Sequence, residues 1–152
     1  MDRKVKAFTI LEILIILAIL AILLLLAAPP LLKWKKRADI EKDTDIIYST
    51  IQKYRMKALL SHTPYEVYLS SNGKELQVKQ SGNTVAEYNL SSPFKLKGST
   101  TEVRISEKGI LNSFTIFSNS INLDSLNPVY SCVISSGGVR LKRGKWNGKN
   151  CQ

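Results

Sequence analysis

Histidine is almost missing from this chain. His62 is the only one in 152 residues, and cysteine occurs twice, at Cys132 and Cys151. Two cysteines and one distant histidine do not make a four-ligand zinc site. There is no Ser/His/Asp constellation, no metal-ligand cluster and no glycine loop of the phosphate-cradling kind, so the residues argue against an enzyme and imply no metal or cofactor. Gly137-Gly138 reads as a turn, and His62-Thr63-Pro64 as a helix stop. Internal repeats and low-complexity tracts are also absent. Acid is scarce, with 12 Asp and Glu against 22 Lys and Arg, a net charge of +10. Such an excess favours an acidic partner, nucleic acid or anionic lipid, and is silent on fold.

Charge is what the front of the chain lacks. A short basic leader, Met1–Ala7, runs into an apolar segment that reaches Leu32, and between Phe8 and Ala28 only Thr9 and Glu12 interrupt it. As a helix, Phe8–Ala28 is roughly 30 Å long, about the thickness of a bilayer's hydrocarbon core. The stretch therefore reads as a membrane segment. A carboxylate within one costs about 2.5–3.5 kcal/mol on insertion scales, which makes Glu12 a functional-site candidate. Cleavage before Phe8 would place a new α-amine one helical turn away as its partner; the alternative is that Glu12 lies in the headgroup region. A secretory signal peptide fits poorly, because the apolar run is too long and Pro29 directly follows Ala27-Ala28. An uncleaved anchor stays open. Basic residues flank both ends, so the charge rule fixes orientation only weakly.

Ala7 followed by Phe8-Thr9-Ile10-Leu11-Glu12 resembles the processing site of the type IV pilin and pseudopilin class. There a basic leader is cut by prepilin peptidase ahead of a Phe-Thr-x-x-Glu helix start. Glu12 stands four residues past Phe8 as in the family, and Pro29 matches a proline common in pilin helices. Ala7 departs from the family's usual glycine, at a position where small residues are tolerated. The resemblance implies cleavage at Ala7|Phe8, N-methylation of Phe8, and a salt bridge from Glu12 to a neighbouring subunit's amine. It also implies other pilin or pseudopilin subunits and an inner-membrane assembly platform as partners. The leader would be cytoplasmic, the chain single-pass, and the soluble domain periplasmic or extracellular.

Four segments follow: leader 1–7, membrane or filament-core helix 8–32, amphipathic continuation 33–61, and a β-rich soluble domain 62–152. Pro29 and Pro30 deprive the carbonyls of Leu25 and Leu26 of their helical donors, so a break, kinked or unwound, is expected there. Beyond it Ile40, Thr44, Ile47, Ile51, Tyr54 and Ala58 step along one helical face. Asp39, Glu41, Asp43 and Asp45 spread around that helix and read as a solvated surface, not a cation site. Strands are expected at 65–69, 75–79, 84–90, 94–97, 102–106, 110–118, 129–135 and 139–143, with a hairpin at Asn72-Gly73 and a surface loop at 119–128. The fold class is α+β, a long N-terminal helix packed on an antiparallel sheet or small β-sandwich. Val103-Arg104-Ile105, Phe114-Thr115-Ile116-Phe117 and the stretch from Cys132 to Arg140 resemble the H-type pseudopilins and FimT-like minor pilins.

Cys132 and Cys151 both follow the membrane segment; in an exported domain a disulfide is the default, with two free thiols as the alternative. A bond would close a segment carrying Arg140, Lys142, Arg143, Lys145 and Lys149 and no acid. Arg140 and Lys142 should share a strand face, with Arg143, Lys145 and Trp146 in an exposed turn. Cations beside an indole suit a nucleic-acid backbone and its bases. FimT-like minor pilins carry Gly-Arg-x-Arg at this strand and bind DNA during uptake; here the pattern falls on Gly137-Gly138-Val139-Arg140, which leaves Arg140 as the matched residue. The alternative is a basic loop kept soluble by its charges, with Trp146 capping the sheet.

Overall fold

The computed structural model describes residues 9–98, 101–121 and 123–152, apart from the side chains of 25–29. The leader and the Ala7|Phe8 junction lie outside the described residues. Helix α1 spans Ile10–Ser61. Thr9 starts it: its carbonyl accepts from the amides of Glu12 and Ile13, and its hydroxyl accepts from Glu12 N at 3.3 Å. Pro29 and Pro30, expected to break the helix, fall inside the assigned helical span. Two missing donors remove two rungs of the ladder, and the helix is assigned through them. At the other end His62 takes φ +50°, the left-handed conformation that closes many helices, and Pro64 prevents resumption.

The chain divides into two units, Met1–Lys35 and Lys36–Gln152. In the first, every described side chain from Ile10 to Leu24 is exposed, and Glu12 is the only polar one. A helix that is apolar all round needs an apolar surrounding. Among the described residues, no helix is long and apolar enough to cross a membrane.

In the second unit, α1 packs with two four-stranded antiparallel sheets. The strands are β1 (Tyr65–Leu69), β2 (Glu75–Gln80), β3 (Asn83–Asn89), β4 (Phe94–Leu96), β5 (Glu102–Ile105), β6 (Phe114–Ser118), β7 (Cys132–Ser136) and β8 (Arg140–Gly144). Their orders are β3-β2-β1-β5 and β4-β6-β7-β8. All six residues of the anticipated helix face are buried. Ile47, Ile51, Tyr54 and Ala58 share a core with Val67, Leu76, Val78, Phe94, Val103, Ile116, Val133 and Leu141. The sheet alternation thus comes from period-2 strands closing over one helical stripe.

Only β1 keeps both expected ends; most other strand ends move by one residue, and a few differences matter more. β6 starts at Phe114 because Ser106–Gly109 turns and Leu111 only bridges Ile105. β7 starts at Cys132, and β8 continues to Gly144. The loop expected at 119–128 holds a short helix, α2 (Leu123–Leu126).

Candidate functional site

Three groups of residues were singled out, and the structure treats each differently. At the front, Thr9-Ile10-Leu11-Glu12 follows the capping-box pattern, in which a hydroxyl residue caps the helix and an acid sits three residues on. The observed half of that box is the Glu12 N to Thr9 Oγ1 bond. Glu12 is exposed in the first turn of α1, where a negative charge meets the positive end of the helix dipole. Capping by Thr9 was legible in the sequence as T-x-x-E and passed unnoticed beside the membrane argument.

The acids of the helix are only in part the expected solvated surface: Asp45 is exposed, Asp39 and Glu41 are half-buried, and Asp43 departs from it. Asp43 is buried, with Oδ2 accepting from Ser92 N at 2.7 Å and Oδ1 unpartnered. Burial pushes its carboxyl up, partly offset by the Ser92 amide. Glu41 accepts from Arg37 at 3.0 Å and from Val129 N at 2.7 Å. Asp45 pairs with Arg143. Three of the four acids therefore hold strands or loops onto α1, and no metal cluster occurs among the described residues.

The tail is closed by a Cys132–Cys151 disulfide, with Cα atoms 5.9 Å apart. Arg140 and Lys142 lie on one exposed face of β8, as expected, with Leu141 turned inward. Of the other three, Lys145 lies exposed past the strand as expected, while Arg143 and Trp146 are placed otherwise. Arg143 lies within β8 two residues past Leu141 and so shares its inner face, opposite Val133. There its guanidinium meets Asp45 and lies 4.9 and 4.8 Å from the ring centroids of Tyr48 and Tyr130. Lys145 donates to Asn127. Trp146 is buried, stacked on Phe117 at 4.2 Å, with its amide on Ser131 Oγ. The indole thus caps the sheet: Phe117 stacks on it, the Lys97 ammonium lies 5.6 Å from its ring centroid, and little of it is exposed to a base.

Residues 2–28 match the family described as the prokaryotic N-terminal methylation motif. In fold, the chain is similar to the type IV minor pilin FimU of Pseudomonas aeruginosa strain PAO1 (12% identity, 72% of this chain and 91% of that one, TM-score 0.55). It is also similar to the minor pseudopilin EpsH of the type II secretion system of Vibrio cholerae (14% identity, 69% and 95%, TM-score 0.50). The chain is type IV pilin-like in motif and in fold. No curated protein matches it.

For a pilin-like chain, the turn at Gly137-Gly138 is then informative. Gly138 has φ +78°, and a Cβ there would meet Ile110 Cγ2 at 2.9 Å and the Leu111 carbonyl at 3.0 Å. The first arginine of the Gly-Arg-x-Arg pattern does not fit this backbone.

Proposed function

We propose that the chain is a minor pilin or pseudopilin, a structural subunit of a type IV pilus or a type II secretion pseudopilus. Prepilin peptidase would cut it at Ala7|Phe8, Phe8 would be methylated, and Glu12 would pair with a neighbouring subunit's amine. Before assembly, the apolar segment would cross the inner membrane once, leader in the cytoplasm and domain outside, within reach of the assembly platform. The observation that carries this is the capped start of α1. One exposed carboxylate, Glu12, precedes a helical stretch with no other polar side chain among those described, inside a methylation-motif match and ahead of a minor-pilin fold. Such a surface gains most by entering lipid and then other apolar helices, with its carboxylate neutralised by an amine.

The geometry favours this reading over DNA capture for natural transformation. Of the five residues considered for DNA, Arg143, Lys145 and Trp146 are engaged within the domain. Arg140 and Lys142 remain free of ion pairs among the described residues. The test is the intact mass of the chain recovered from cells with and without prepilin peptidase. Loss of residues 1–7 plus one methyl group is expected only with the peptidase. An unchanged N-terminus in both would favour an uncleaved anchor.

A further inference from the structure

The two sheets turn oppositely charged outer faces to solvent. Strand parity assigns the outer face of β3-β2-β1-β5 to Glu66, Tyr68, Glu75, Gln77, Lys79, Glu87, Glu102 and Arg104, since Val67, Leu76, Val78, Val103 and Ile105 point into the core. Four glutamates against Lys79 and Arg104 leave that face at −2. Arg104 is itself spent on Glu102, at 2.5 Å. Glu102 and Glu66 flank Tyr68, whose hydroxyl donates to Glu66 at 2.9 Å and is held protonated far above its ordinary range.

The outer face of β4-β6-β7-β8 is the reverse. Lys95 and Lys97 come from its β4 edge, Arg140 and Lys142 from β8, with Thr115, Ile134 and Ser136 between them. That face is +4 and carries no carboxylate. None of its four cations has an ion pair among the described residues. Lys97 donates to the Lys149 carbonyl and the Asn150 amide oxygen and lies 5.6 Å from the centroid of the Trp146 ring. Its aromatics, Phe117 and Trp146, are stacked on each other, so it has cations but no free ring.

We infer that these faces are two halves of one heterologous interface, in which the basic sheet of one copy docks on the acidic sheet of a second copy of this chain. The inference rests on the subunit reading and names its domain contact. Both halves of the complement sit on the same molecule, on different patches, so the contact is head-to-tail and can propagate. A polyanion would use only the basic face and leave the acidic one without a partner. Across the docked faces, Arg140 and Lys142 would meet the exposed Glu87 and its neighbour Glu75.

The test uses the full chain in neutral detergent micelles, as an equal mixture of light and nitrogen-15-labelled protein. A carbodiimide joins lysine to glutamate only where they touch. Mixed-isotope links from Lys95, Lys97 or Lys142 to Glu75 or Glu87 are expected. The pair Arg140→Glu and Lys142→Glu should lower the yield of links through Lys95 and Lys97 about tenfold at low salt. Glu75→Lys with Glu87→Lys should lower the multimer fraction by a similar factor. Combining all four changes in one chain re-pairs the swapped positions and should restore part of the multimer fraction, which a merely misfolded variant would not do. Multimers without face-to-face links would overturn this contact and leave the subunit reading intact. Absence of any multimer would overturn this contact, while the subunit reading stands or falls on the N-terminal mass. Binding of duplex DNA to the basic face, with no mixed-isotope links at the same salt, would overturn it in favour of a polyanion.

Discussion

Asp43 shows what a single buried acid does to this domain. Its Oδ2 has the Ser92 amide, its Oδ1 has nothing, and Asp39 lies close enough to add repulsion. Its folded-state pKa is raised above the ordinary 3.8. The unfolded chain therefore binds fewer protons than the folded one between those two values. Stability from this group is greatest below 3.8, falls as pH rises through the raised value, and is lowest and flat above it. Asp43→Asn keeps an oxygen for Ser92 and removes the charge. Denaturation midpoints of the two proteins should lie further apart in the variant's favour at pH 7 than near pH 4. A pH-independent difference would contradict the burial argument. Gly138 is a second such position. Gly138→Arg, which would complete the Gly-Arg-x-Arg pattern, should cost about 1–3 kcal/mol from its left-handed backbone and its crowding against Ile110 and Leu111. Thermal melting measures it, and a variant as stable as the parent would show that this turn can relax.

Among the elements, α1 was the most legible. Its buried stripe could be read directly because a helix needs only a period of 3.6 to declare its inner face. The Asn72-Gly73 turn was equally plain; Gly73 has φ +71°, and a Cβ there would run into the Phe94 carbonyl. What sequence did not disclose was where polar side chains would meet across elements. Asp43 looks like any surface aspartate until the loop carrying Ser92 is laid over it. Arg143 belongs to β8 and not to the exposed turn: alternation from Leu141 puts its side chain on the inner face, toward Asp45. The tail's disulfide closes a segment of sequence separation 19. Replacing Cys132 and Cys151 by serine should cost about 3 kcal/mol by loop entropy. Chemical denaturation of oxidised parent and variant gives the figure, and the parent under reductant should approach the variant.

For the molecule as a whole, the pilin-like plan was readable from the Ala7 to Glu12 stretch through its resemblance to the prepilin processing site. The pairing of four strands with four others was not, since alternation gives faces and leaves strand order open. Glu12→Ala should leave the folded domain's melting temperature unchanged, while the share of subunit recovered in sheared filaments falls at least about tenfold. Equal recovery would return Glu12 to its capping role with Thr9 alone. The ties along α1 have a mechanical meaning as well. A pull entering the domain through this helix meets Glu41 on the Val129 amide, Asp43 on Ser92 and Asp45 on Arg143, and at its far end Arg55 grips the carbonyls of Gly109 and Val139, each at 2.8 Å. Tension is thereby shared out to turns of both sheets and, through Arg143, to a covalently closed loop, so the helix cannot be drawn out like a rod from a sleeve without first shearing anchors at both ends.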